Sequence, residues 1–452
     1  MLSPTALYPL VVAWLQALDV CPHPVALAAL AHLVTALLHA QSLKPSALMR
    51  ALLSPTETPV PACQRDERVA RALDRPWLTS AWLTPLLVRA VLTLLPPEES
   101  AGEGGTDKKE VTVALDSVRC GPWEAFTLGI VWRGRVVPVA WRVLAYPWPK
   151  GQVTPAVCAL VAQAAAAWPA GEARTAHLVA DRAFPGKRLF GALRRVGWGW
   201  TIRLSAPLPV TVGEERLTVR DLMRRARPGG WMAWAGAYGQ GRTALPATLV
   251  MGRGLSVLPA HQRMAGSLRH RSARRAERDR VVGYRSKTVT ETDPWMALCT
   301  THTTWQAAVR TYRRRWATEG SDRDAQGGGD GQHGWDLEGV LAEAVDAGRA
   351  ERLRGLWALG VLLQTFIGAE VQHGPAEVRA IAAEWTTTGR LSVWAHGQFA
   401  LREPHGRLRA WLERTVRAGA VRVAAAPHPP AIAPPAAIPR RKESAGEHRR
   451  AA

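Results

Sequence analysis

Apolar and polar positions fall into distinct textures along the chain. Up to about residue 95, Leu and Ala recur at three- and four-residue spacings between Pro22, Pro24, Pro45, Pro55, Pro59 and Pro61. That pattern predicts short helices punctuated by proline, a small bundle that is equally consistent with a DNA-recognition module. Residues 96–109 (PPEESAGEGGTDKK) have the make-up of a flexible joint. From Glu110 the texture changes. Val111–Asp116 (VTVALD) is a continuous apolar run suited to a strand buried on both faces. Ala125–Trp132 and Val136–Leu144 flank Arg133-Gly134-Arg135 and predict a hairpin. An Ala-rich helix over Pro155–Trp168 follows, then a strand over Ala176–Asp181, a helix over Gly186–Val196 and a strand over Trp198–Leu204. Three strands in a meander, then helix, strand, helix, strand, predict an α/β fold with a mixed sheet and flanking helices.

This order of elements is that of an RNase H-like core, whose first part spans residues 110–205. Residues 206–300 break the pattern with Gly/Pro turns and short strand-like pieces, Leu245–Met251 and Val281–Thr290 among them, and read as a β-rich insertion. Helical periodicity returns at Thr304 and runs to Gln326, where Gly327–Gly331 interrupts it; residues 301–335 complete the core. Helices are expected over 336–371 and 407–418 within a helical C-terminal region, residues 336–423. The stretch 424–452 is Pro/Ala-rich and then basic, a composition that predicts disorder.

Charge narrows the partner. Lys and Arg number 58 against 37 Asp and Glu, a net charge of +21, and a field of that sign attracts nucleic acid. A GC-rich gene explains the choice of Arg over Lys but not the shortage of acids. Leu268–Arg280 (LRHRSARRAERDR), with Arg271, Arg274 and Arg275, is expected to track phosphates; the plainer alternative is a solvated helical face partly paired by Glu277 and Asp279. The five cysteines are scattered without a CxxC pair, which argues against a disulfide framework or zinc site and fits a reducing cytoplasm. The longest apolar stretch, Val25–Leu38, contains His32 and falls short of the ~20 residues a membrane span needs. No signal peptide is expected, since the start lacks a basic segment and Pro9 interrupts its apolar run.

Three acids stand at informative places. Asp116 is expected to end the first strand of the meander and Asp181 the fourth, so that both emerge at one sheet edge. Neighbouring acids repel unless a cation neutralises them, and Mg²⁺, bound through one or two carboxylates, suits that role. Glu319 lies on the helix predicted over Trp305–Gln326, on the face of Trp305, Val309, Tyr312 and Trp316, with Arg315 one turn before it. Taken singly, either Asp could be a turn or helix cap, and Arg315–Glu319 an ordinary i,i+4 contact. Together, three acids could hold two metal ions about 3.5–4 Å apart for in-line phosphoryl transfer.

Tyr312, Arg315 and Glu319 stand in Y-x2-R-x3-E spacing. This resembles the signature of bacterial insertion-sequence transposases with an Asp-Asp-Glu triad, cut-and-paste enzymes on an RNase H-like core. LVADRAFPGKRLFGALRRVGWGWTIRL resembles the second block of that family, with Asp181 followed by Phe184, and VALDSV resembles the first, with Asp116. The resemblance spans about Val111 to Leu337. It implies that Asp116, Asp181 and Glu319 are the catalytic metal ligands for two Mg²⁺ ions, with Mn²⁺ able to substitute. It also implies that Tyr312 and Arg315 contact DNA phosphates, and that Trp295 stacks on a base flipped out beside the cleavage site, a plain core role being the alternative in a chain with 20 tryptophans. Double-stranded DNA, as element ends and as target, is the implied partner, with a homodimer pairing the ends, no membrane, and action in the bacterial cytoplasm. The chain departs from the pattern at Gln326, where the family has Lys and where Gln can still donate a hydrogen bond to a DNA phosphate but supplies no charge, and at Gly320-Ser321. Those departures motivate two alternatives: a catalytically decayed, transposase-derived DNA-binding protein, or an RNase H-like nuclease that does not join strands.

Overall fold

A computed structural model describes residues 3–21, 23–52, 62–96, 110–253, 295–326, 335–385, 391–402 and 407–427. The fold is mixed α/β and divides into two compact units, one of residues 1–177, 195–198 and 314–452, the other of 178–194 and 199–313. The expected strand over Val281–Thr290, the basic run with Arg271, Arg274 and Arg275, and the tail beyond residue 427 lie outside the described residues.

The first unit opens with helices α1 (Pro4–Leu18), α2 (Pro24–Ala40), α3 (Pro45–Ala51), α4 (Ala62–Leu73) and α5 (Ser80–Leu94). Each of α1, α2 and α3 starts on a proline, where the missing N–H costs nothing. Pro9 does not stop the first helix: α1 runs through it, capped by Ser3, because Leu7, Leu10, Val11 and Trp14 are buried. Burial of such side chains, ~1.5–3 kcal/mol apiece, outweighs one lost backbone hydrogen bond.

The predicted meander forms as β1 (Glu110–Cys120), β2 (Trp123–Trp132) and β3 (Arg135–Ala145), antiparallel throughout. Its hairpin turn uses Arg133 and Gly134, both at positive φ. β4 (Thr175–Ala180) follows helix α6 (Val153–Ala166), and its first residues lie beside β1 in the order β3-β2-β1-β4. Asp116 does not end its strand. It sits in the interior of β1, opposite Thr127, because the apolar run is followed by alternating Val118 and Cys120, which keep the ladder going.

The same unit receives the C-terminal helices α10 (Trp316–Gln326), α11 (Leu337–Ala342), α12 (Ala347–His373), α13 (Ala376–Ala383), α14 (Val393–Arg402) and α15 (Arg409–Ala425). The helix expected over 336–371 is thus two. α12 has buried residues on every face from Ala350 to Val371 and packs on β3, α5 and α14, as a helix without a polar side must. Glycine permits its closest crossing: a Cβ on Gly368 would lie 1.8 Å from the carbonyl oxygen of Val393, and one on Gly397 2.0 Å from that of Gln364.

In the second unit α7 (Lys187–Arg195) turns Leu189, Phe190, Ala192 and Leu193 inward. Strands β5 (Gly199–Arg203), β6 (Pro209–Val212), β7 (Glu215–Thr218), β8 (Gly230–Tyr238), β9 (Leu245–Arg253) and β10 (Trp295–Thr300) take the order β5-β10-β9-β8-β6-β7. Helix α8 (Val219–Arg225) and helix α9 (Trp305–Arg313) cover it. Among the described residues no single helix is long and apolar enough to cross a membrane.

Candidate active site

The helix expected over Trp305–Gln326 is broken at Arg314–Arg315, between α9 and α10. Three-residue turn bonds, from Ala317 N–H to the Arg314 carbonyl and from Thr318 N–H to the Arg315 carbonyl, tighten the chain there. The break sends residues on either side to different jobs. Tyr312 is 2% exposed and joins a core cluster with Val250, Met296, Leu298, Ala308 and Val309. Its placement is that of a packing residue, not of a side chain presented to a phosphate. Trp305 stacks on Trp231 at 6.3 Å.

Arg315, 8% exposed, turns to the first unit's acids. Its Nη2 donates to Glu319 Oε1 at 2.7 Å, and its Nη1 lies 3.6 Å from Asp116 Oδ2. Asp116 Oδ1 accepts from its neighbour's amide, Ser117 N–H, at 2.9 Å. A strand residue and a helix residue distant in sequence are therefore gathered about one guanidinium. Glu319 also stands in the first turn of α10, where the helix dipole favours a negative charge.

α10 is docked by contacts that sequence reading missed. Ser321 Oγ accepts from the Val136 amide at 2.7 Å, and Thr112 Oγ1 accepts from Arg314 Nη1 at 3.1 Å. Gly320 leaves room for Arg135, whose Nη1 would lie 2.7 Å from a Cβ there. Gly320 and Ser321 thus both face β3, the first against the Arg135 side chain and the second on the Val136 amide. Arg354 was also missed. It is 3% exposed, donates to Thr127 Oγ1, and lines with Asp116, Thr127, Thr318 and Ser321 a small cavity of about 20 Å³. A charged residue inside the otherwise apolar run Leu353–Leu363 was the available signal.

Asp181 belongs to the second unit. It directly follows β4, its carbonyl accepts from Phe184 N–H at 3.1 Å, and its Oδ1 lies 3.8 Å from Arg203 Nη1. The D-x2-F spacing therefore closes a turn. Trp295 is half-buried at the start of β10, opposite Arg253. Gln326 is the last residue of α10. Elsewhere in the first unit, Glu110 Oε2 lies 3.3 Å from Nδ1 of the fully buried His177, a carboxylate and an imidazole of the kind that could help to hold a metal ion.

No protein-family model matches the chain, and no curated protein does.

Proposed function

We propose that the chain is a metal-dependent DNA transposase with an RNase H-like core, acting through Asp116, Asp181 and Glu319. The observation that carries the reading is the convergence of Asp116 and Glu319 on Arg315. Asp116 of VALDSV and Arg315 and Glu319 of Y-x2-R-x3-E, far apart in sequence, lie against one another, which supports reading them as parts of one site. The strand order β3-β2-β1-β4 beside α10 is in keeping with the same core, and the net charge of +21 suits a polyanionic substrate.

The donor set fits a hard divalent cation. Asp116 and Glu319 keep 25% and 35% of their side chains exposed, so both carboxylates are reachable, and they are already held around positive charge. Bound Mg²⁺ would supply charge that stabilises the phosphoryl-transfer transition state. Asp116 and Glu319 would hold it, and the reading requires Asp181 as the third ligand. Arg315, released from Glu319, would offer its planar fork to a phosphate of the DNA. Water would hydrolyse the phosphodiester at an element end, and the freed 3′ hydroxyl would attack target DNA, with two chains pairing the ends.

A second reading, a DNA-binding protein without catalysis, draws on the same cluster, since Arg315 already neutralises acids that a metal would otherwise need to occupy, and on Gln326. One experiment separates them: a labelled duplex carrying the gene's flanking ends, incubated with Mg²⁺, Mn²⁺ or EDTA. The transposase reading expects metal-dependent cuts and strand-transfer products, with Asp116→Ala binding DNA but not cutting it. Binding without cuts by the unaltered protein would favour the second reading. Cuts without joining would make it a nuclease, and undiminished cutting by Asp116→Ala would refute the site.

A further inference from the structure

The N-terminal helices of the first unit line a partly open cavity of about 290 Å³ that the proposed chemistry does not use. Its walls are Leu33 and Ala29 of α2, Leu52 after α3, and Val69 and Ala72 of α4. Leu33 and Val69 are 1% and 2% exposed, so its floor reaches the packed core, while Ala29 and Leu52 are half-buried. At the ~30 Å³ that a small group occupies in a condensed liquid, the space holds a body of roughly ten heavy atoms.

Polarity is confined to two places. His32 stacks against Tyr8 at 4.3 Å, and its Nδ1 is closed off from solvent with no hydrogen-bond partner among the described residues. Burial, and then the charge of Arg68, hold this imidazole below its ordinary value, so it stays neutral. The rim is cationic. Arg68 and Arg71 on α4 and Arg75 just beyond it are exposed and all border the cavity, Arg71 sharing its charge with Glu67 at 2.7 Å.

From this division we infer that the cavity is a binding site for a small amphipathic anion, a hydrocarbon chain of about ten carbons ending in a carboxylate. The apolar walls would take the chain and the arginine rim the head group. A nucleotide has the same sign of charge but fits less well. Its base carries several hydrogen-bonding groups, and among the described lining residues the interior offers only His32 to meet them, leaving the rest desolvated and unpaired.

The test is calorimetric titration of the full-length protein with decanoate, decanol, decylamine and deoxyadenosine monophosphate. Decanoate should bind stoichiometrically, decanol more weakly, and the other two not measurably. Arg68→Glu combined with Arg75→Glu, both exposed and outside the core, should weaken decanoate by at least about tenfold, the loss of a charge-assisted contact, and should admit decylamine. Ala29→Trp, which fills the cavity, should abolish binding at an unchanged melting temperature. No binding of decanoate, or binding that neither variant alters, overturns the inference. Preference for the nucleotide overturns the hydrocarbon class of ligand. None of these readouts depends on DNA cleavage, so the inference and the transposase reading can fail separately.

Discussion

Replacing Arg315 with Met tests whether the guanidinium, rather than the fold around it, keeps Asp116 and Glu319 together. Met retains the aliphatic stem's packing and removes the charge. Breaking one partner out of a buried ion pair costs about 3–5 kcal/mol, because the other charge is stranded. Here the stranded groups are carboxylates with 25% and 35% of their side chains exposed, so water takes over part of the lost solvation. About 2 kcal/mol is the expected loss, with repulsion between the two acids included. For a unit of more than about 250 residues that lowers the melting temperature by about 3–4 °C. Circular dichroism melts in EDTA measure it. Mg²⁺ then reads the acids directly. If they form a cation site, the variant should gain more stability on titration than the unaltered protein, in which Arg315 competes; a ligand at a hundred times its dissociation constant contributes about 2.7 kcal/mol. Equal melting temperatures in EDTA would refute the role given to Arg315. A full loss that Mg²⁺ does not relieve would refute the carboxylates as a cation site.

Three further outcomes follow from the packing. Gly368→Ala should cost about 3 kcal/mol, the upper end for overpacking, since its Cβ would meet the Val393 carbonyl at 1.8 Å; urea denaturation that leaves the midpoint unchanged would mean that α12 and α14 do not cross so closely. Trp335→Phe removes the indole donor to Gln41 Oε1 at 2.8 Å inside a buried network with Gln364, and a loss of about 1–2 kcal/mol is expected, with no loss if water reaches Gln41. Burial pushes the Glu351 carboxyl above its ordinary range, against the opposing pull of the Val143 amide, Arg142 and Arg352. A raised folded value means that the fold prefers the protonated form, so the contribution is full below the unfolded value and is lost as pH rises through the folded one. Glu351→Gln should therefore match the unaltered protein near about pH 4 and exceed it in stability near about pH 8, and parallel pH–stability curves would contradict this.

The strands and helices of residues 110–203 could be read from the sequence because their signals are local. A continuous apolar run such as VTVALD, or an Arg-Gly turn between two apolar runs, specifies a strand or a hairpin whatever else the chain does. The abundance of basic residues and the order of the three acids were likewise properties of the chain itself. The tertiary structure decided how those residues are used. Pro9 sits inside a helix because the burial of its neighbours outweighs its own effect. Tyr312 and Arg315, three residues apart on what looked like one helical face, part company at the break between α9 and α10, the first into a core and the second onto two acids. Arg354, Gly320 and Ser321 mattered only once β1–β3 and α10–α12 had packed, since each acts on a partner far away in sequence. Periodicity is a short-range property and can name an element; which side chains share a site depends on long-range contacts, whose energies no local pattern records.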